Sequence, residues 1–182
     1  ETEMLISDFD AYQIYLAVKK TEKIEGDIAE VGVYKGGSAR LISAATKKPL
    51  YLFDTFEGLP EISKHDSVDQ FRKGKYISSY EEVKNYFKGR SDIYFYKGLF
   101  PATADPIKNK RFSFVHLDVD LYESTLDCLN FFYPRMSRGG VIVSHDYPNA
   151  KGVKKAVDEF FKDKLEIIIK PLETGQCLIV KT

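Results

Sequence analysis

The stretch Asp27-Ile28-Ala29-Glu30-Val31-Gly32-Val33-Tyr34-Lys35-Gly36-Gly37-Ser38 decides how this chain folds. Asp27 to Val33 is a short apolar run interrupted by glycine, and Ser38 to Thr46 returns to helical spacing. A strand that passes through a glycine-bearing turn into a helix opens a parallel sheet, in which ligands bind beyond the carboxyl ends of the strands. The turn is no dinucleotide fingerprint. Counted from Gly32, the middle glycine of G-x-G-x-x-G is replaced by Tyr34, whose bulk keeps the backbone from a pyrophosphate. A Walker A loop fails as well, because Ser38 stands where lysine is required. What remains is a tight turn at a helix N-terminus, suited to a carboxylate, with Ser38 able to cap it.

Outward from this turn the same alternation continues. Asp10 to Lys23 carries Ala11, Ile14, Tyr15 and Val18 at helical spacing, so residues 1–25 read as an N-terminal helix. Pro49 to Phe53, Ile93 to Tyr96, Phe112 to Leu117 and Val141 to Ser144 read as further strands. Helices are expected over Tyr80 to Lys88, from Leu121 to about Met136, and around Val153, Ala156, Val157, Phe160 and Phe161. The last two runs, Leu165 to Ile169 and Gln176 to Val180, are joined too closely for a crossover helix and must pair antiparallel at one edge. The reading is an α/β fold with a seven-stranded, mostly parallel sheet, an antiparallel C-terminal hairpin and helices on both faces. That layout resembles the Rossmann-like class I fold of S-adenosylmethionine-dependent methyltransferases.

Size and composition agree with one methyltransferase-like domain over residues 1–182, since a chain this long buries roughly 70% of its unfolded surface. Hydrophobic residues make up 43% and charged ones 30%, which excludes disordered and collagen-like classes. With 27 basic and 27 acidic side chains the formal charge is zero, which argues against nucleic acid or a membrane surface as the main partner. Cys128 and Cys177 lie in apolar patterns without metal or redox spacing, so both read as reduced core residues. No apolar run approaches the ~20 residues a membrane span needs, and the expected location is cytoplasmic. Phe56 to Ser79 is too long for a bare turn and reads as a lid or substrate loop, with a merely exposed loop as the alternative.

Acidic residues collect at the strand ends. Asp54 closes the second core strand 24 residues after Glu30, where a carboxylate can accept both ribose hydroxyls of a nucleoside. A nucleoside with a carboxylate tail therefore fits the turn and the strand end together, and S-adenosylmethionine is such a molecule. The same glycines and Asp54 also fit a purely structural turn. Asp118 and Asp120 end one strand and His145-Asp146 the next, a set of oxygens that suits Mg²⁺, widened to Mn²⁺ or another transition ion by the imidazole. Two alternatives stand beside this. Asp120 with Glu123 forms a capping-box pattern for the following helix, and His145 reads equally as a hydrogen-bonded core histidine, as His116 does.

On these residues the sequence resembles the macrocin and mycinamicin O-methyltransferase family, metal-dependent enzymes that methylate sugar hydroxyls. The matching segments are Glu30 to Ser38, Phe53-Asp-Thr-Phe-Glu-Gly-Leu-Pro60, Lys97-Gly-Leu-Phe-Pro101, Leu117-Asp-Val-Asp-Leu-Tyr-Glu-Ser-Thr125 and His145-Asp-Tyr147, in order through most of the chain. The resemblance implies that Glu30, Gly32, Tyr34, Gly36 and Ser38 surround the methionine part of S-adenosylmethionine, that Asp54 and Thr55 hold the ribose, and that Gly98 and Leu99 lie near the adenine. It further implies Asp118, His145 and Asp146 as ligands of Mg²⁺ or Mn²⁺, Asp118 beside the cofactor, and Asp120 as general base. The acceptor would be a small molecule with a hydroxyl group, and the family's N-terminal extension would help to form a homodimer. The family commonly has two aspartates where this chain has His145-Asp146. That departure leaves open a second reading, a methyltransferase-like binding or regulatory module with an altered metal set.

Overall fold

Ser7 opens the first helix by a reciprocal cap. Its hydroxyl accepts the Asp10 N–H, and the Asp10 carboxylate accepts the Ser7 N–H in return. The computed structural model describes residues 4–182, so the first residues of the expected N-terminal helix lie outside the described residues. Within them, α1 spans Asp8–Lys20, β1 Asp27–Val31, α2 Gly37–Ala45, β2 Leu50–Asp54, α3 Tyr80–Tyr86 and β3 Ile93–Lys97. Then come β4 Phe112–Leu117, α4 Tyr122–Phe132, β5 Met136–His145, α5 Lys151–Phe161, β6 Ile168–Ile169 and β7 Gln176–Val180.

The seven strands form one sheet in the order β3-β2-β1-β4-β5-β7-β6. β1 to β5 pair in parallel, while β7 runs antiparallel to both β5 and β6, which is the expected C-terminal hairpin. Because side chains alternate across a strand, the sheet separates two cores. Ala29, Tyr51, Phe53, Val115 and Leu117 face α4 and α5, where they meet Leu129, Phe132, Val153 and Val157. Ile28, Leu50, Leu52 and Phe114 face the other way, onto Ile14 and Val18 of α1, Ile42 of α2 and Val83 of α3. Central strands buried on both sides are what a near-continuous apolar run requires.

Several boundaries differ from the sequence reading. β1 stops at Val31 because Gly32 turns the chain at φ +87°, outside the strand region. α4 ends at Phe132, since Pro134 leaves a carbonyl of the preceding turn without its donor, and a short 3₁₀ turn over Tyr133–Arg135 follows. β5 begins at Met136 rather than Val141, with Gly139-Gly140 absorbed into the strand beside a shift of register against β4. β6 keeps only two residues. None of the described helices is long and apolar enough to cross a membrane.

The expected capping box at the start of α4 is not formed. The N-cap residue is Leu121, which contributes no side-chain bond, and Asp120 lies before it with φ +61°. The cap comes instead from the long connector: Asp66 Oδ1 accepts the Tyr122 N–H at 2.8 Å, while its Oδ2 accepts the Ser63 N–H and hydroxyl. Gly152 makes room for it, because a Cβ there would stand 2.1 Å from Asp66 Oδ1. Segment 56–79 is thereby fastened to α4 and α5, and Asp120 is left without a capping duty.

Candidate active site

The glycine turn is built around a carboxylate. Asp54 Oδ2 accepts the N–H groups of Val33 and Tyr34 at 2.7 and 2.8 Å, and Oδ1 accepts the Phe56 N–H at 2.7 Å. Burial pushes the Asp54 carboxyl up, and the same three N–H groups pull it back only in part. These three bonds give Asp54 a part in shaping the turn, and it also lines the cavity at the strand ends. Thr55 is also occupied locally, donating its hydroxyl to the Gly58 carbonyl at 2.8 Å.

Ser38 does not cap α2. The helix starts at Gly37 with Gly36 as N-cap in the left-handed region, and this N-cap offers no side-chain bond to the first turn. Uncapped N–H groups at a helix start are a ready site for a carboxylate. Ser38, one residue further on, is buried near Glu30. Glu30 lies opposite His116 across β1 and β4, and its Oε1 sits 2.8 Å from His116 Nδ1, both side chains fully buried. Burial raises the Glu30 carboxyl against the pull of His116. His116 is thus the core histidine that the sequence suggests.

The carboxyl ends of β1, β2, β3, β4 and β5 frame one cavity. Gly32, Tyr34 and Ser38 line it after β1, Asp54 and Thr55 after β2, and Gly98 and Leu99 after β3. Asp118 and Asp120 follow β4, and His145 and Asp146 complete the rim at β5. Glu30 and Gly36, expected among the cofactor contacts, are buried and are not among the lining residues. Non-glycine residues turn left-handed at four of these strand ends: Tyr34 (φ +50°), Phe56 (+58°), Asp120 (+61°) and Asp146 (+58°). Such backbone costs of order 1–2 kcal/mol per residue and persists where surrounding contacts enforce it.

Asp118, His145 and Asp146 bring an oxygen, a nitrogen and an oxygen within 4.8 Å of one another. His145 Nδ1 is 3.3 Å from Asp118 Oδ1 and 3.5 Å from Asp146 Oδ2. Neither ring nitrogen has a hydrogen-bond partner among the described residues, although both are buried. Burial opposes a charge on this imidazole, but the flanking carboxylates outweigh it and hold the proton up to about 11. For Asp118 burial works upward and the His145 charge more than offsets it, so the carboxyl lies below its usual range. Burial and the neighbouring Asp118 and Asp146 drive Asp120 the other way, well above the usual carboxylate range. An orphaned buried nitrogen facing two carboxylates is a donor set that fits a divalent cation, which would take the place of the ring proton.

Some site residues carry no obvious signal in the sequence. Met4, Leu5 and Ile6 close one side of the cavity, and Tyr76 returns from the far end of the connector to meet the Tyr34 ring edge-on at 5.9 Å between centroids. Gly58, Leu59 and Pro60 of the same connector line the wall. Asp10, buried on α1, brings Oδ2 to 3.7 Å from His145 Nε2. Its only sequence mark is the Ser7-x-x-Asp10 spacing, which announces a helix start and nothing more.

A family model described as macrocin-O-methyltransferase (TylF) matches residues 9–175. The demethyldecarbamoylnovobiocin O-methyltransferase of Streptomyces niveus is 28% identical over 153 residues, 75% of this chain and 58% of that protein. The 8-demethyl-8-(2,3-dimethoxy-alpha-L-rhamnosyl)-tetracenomycin-C 4'-O-methyltransferase of Streptomyces olivaceus is 31% identical over 154 residues, 76% of this chain and 59% of that one. This chain spans 58% and 59% of the length of these curated relatives. Among solved structures, the O-methyltransferase NovP superposes with a TM-score of 0.80 at 27% identity, covering 94% of this chain and 79% of that chain. The calicheamicin methyltransferase CalS11 superposes at 0.79 with 16% identity, covering 94% and 78%, a likeness of fold. The architecture is the Rossmann-like class I methyltransferase fold.

Proposed function

This chain belongs to the macrocin O-methyltransferase family, and from that premise we propose that it transfers a methyl group from S-adenosylmethionine to a hydroxyl of a sugar or another small natural-product acceptor. One observation carries the reading. The uncapped start of α2 and the cation-type cluster of Asp118, His145 and Asp146 open into the same cavity. A donor with a carboxylate tail and an acceptor hydroxyl can therefore be held side by side.

The first turn of α2 would receive the carboxylate of the methionine moiety, with Tyr34 and Leu99 supplying apolar walls. S-adenosylmethionine supplies the electrophilic methyl carbon, so the chain needs no nucleophile of its own. Asp118, His145 and Asp146 would hold a divalent cation, whose Lewis acidity would polarise the acceptor hydroxyl. Asp120 would take the hydroxyl proton as the oxygen–carbon bond forms and the carbon–sulfur bond breaks. Its place on the rim of the same cavity, one residue beyond Val119 and beside the cluster, puts it within reach of that step. Segment 56–79, with Tyr76 against Tyr34, would cover the acceptor and exclude water.

The test has three parts. Calorimetric titration with S-adenosylhomocysteine should show binding to the chain, and titration with divalent cations should show binding that disappears in Asp118→Ala. Methyl transfer to a panel of glycosylated hydroxyl compounds should fall about 100-fold or more in Asp120→Asn, with the S-adenosylhomocysteine affinity kept. Nucleoside binding without any cation binding or turnover would instead favour the binding module, the reading that His145 in place of an acid supports.

A further inference from the structure

His145 is held from both sides. Its side chain is nine-tenths buried; Nδ1 looks between Asp118 and Asp146, and Nε2 looks toward Asp10 on α1. The position of Asp10 is fixed independently of the ring. Oδ1 accepts the Gly175 N–H at 2.7 Å, Oδ2 accepts the Ser7 N–H and hydroxyl, and the main-chain carbonyl accepts Gln176 Nε2 at 3.1 Å. One carboxylate thus ties the start of α1 to the turn between β6 and β7 and comes within 3.7 Å of the imidazole at the end of β5.

The donor chemistry distinguishes among cations. Mg²⁺ takes oxygen ligands and keeps several of its waters, whereas an imidazole nitrogen suits first-row transition ions. A ligating histidine needs its second nitrogen oriented, and a carboxylate on that side keeps the proton on Nε2 and the Nδ1 lone pair free. Asp10 stands on that side, and no other acid is recorded against Nε2 among the described residues.

We propose that the cluster of Asp118, His145 and Asp146 takes a first-row transition ion in preference to Mg²⁺, with His145 Nδ1 as the discriminating donor and Asp10 as a positioning residue for the ring. The proposal rests on the reading above that this cluster binds a cation, and it adds which class of cation and which further residue.

Titration of the chain with CoCl₂ and with MgCl₂ tests it, together with the visible spectrum of the Co²⁺ form and the nitrogen hyperfine coupling of the Mn²⁺ form. The expected result is nitrogen coordination in the unmodified chain. In His145→Asp that signature should vanish, and the ratio of Co²⁺ to Mg²⁺ affinity should fall about ten-fold or more. Asp10→Asn should weaken Co²⁺ binding about ten-fold in the unmodified background and leave cation binding unchanged in the His145→Asp background. Equal loss in both backgrounds would remove the positioning role from Asp10. Where Asp10→Asn does not fold, the His145→Asp ratio and the spectra decide. An unchanged ratio without nitrogen coupling, while Asp118→Asn still abolishes binding, overturns the proposal and leaves the cation reading standing. No binding of either ion to the unmodified chain overturns both.

Discussion

The main-chain carbonyl oxygen of Asp118 occupies the space beside Gly32 so closely that a Cβ on Gly32 would lie 1.8 Å from it. The contact joins the turn after β1 to the end of β4, and the Asp118 N–H donates to the Val31 carbonyl at 2.9 Å to lock the approach. The proposed donor site and the proposed cation site are therefore two sides of one backbone contact. Gly32 has no substitute there, having both a left-handed φ of +87° and no room for a side chain.

Gly32→Ala should accordingly destabilise the fold by about 3 kcal/mol or more, combining left-handed strain with overpacking against backbone. Chemical denaturation measures this. A variant with unchanged stability would mean that the turn after β1 does not meet the end of β4 as described.

Asp54→Asn keeps size and removes acceptor capacity. Three N–H groups, from Val33, Tyr34 and Phe56, then compete for a single oxygen, and leaving a buried donor unpaired costs about 1–3 kcal/mol. The melting temperature should drop, and S-adenosylhomocysteine affinity should weaken because the turn loosens. Loss of affinity with full stability would point instead to a direct ligand contact as the main role of Asp54.

The cap that Asp66 lends to α4 predicts a coupled pair. Asp66→Ala should cost about 1–2 kcal/mol, as N-cap losses do. Gly152→Ala should also destabilise, because its methyl group displaces the Asp66 carboxylate. The two effects should not add, since either one removes the same bond. Additive losses in denaturant titrations would mean that Gly152 acts by another route.

Glu166 carries a pH prediction. Although burial works upward, Lys181, Tyr133 and Thr182 all converge on its Oε1 and bring the carboxyl from 4.5 down to about 2. A carboxyl lowered in the folded state contributes stability that is complete above its unfolded value and disappears as the pH falls toward 2. Glu166→Gln should therefore cost about 2 kcal/mol at pH 7 and progressively less between pH 4.5 and pH 2. A penalty that stays constant across this range would show that packing, rather than charge, carries the contribution.

The alternation of apolar runs and helical spacing, Gly32 in its turn, and the acids at the ends of β2, β4 and β5 were legible from the residues alone. Such signals are local: a strand repeats every second residue and a helix every third or fourth, whereas the order β3-β2-β1-β4-β5-β7-β6 came from the folded chain. The hairpin at the edge follows from too short a link between Leu165–Ile169 and Gln176–Val180. The tasks of individual carboxylates were not legible. Asp120 and Glu123 have the spacing of a capping box, yet Asp66 makes the cap from 56 residues away. Asp54 closes a strand in the sequence, and only the fold shows that it accepts the N–H groups of Val33, Tyr34 and Phe56. Asp10 looked like a helix start and reaches His145 across the fold. A carboxylate is satisfied by whatever donors the tertiary packing brings within about 3 Å, and no periodicity in the chain records which those will be. The sequence by itself determined the alternation of strands and helices and which acids stand at the strand ends around the cavity; only the folded chain decided which donors each acid meets, because those donors come from distant segments.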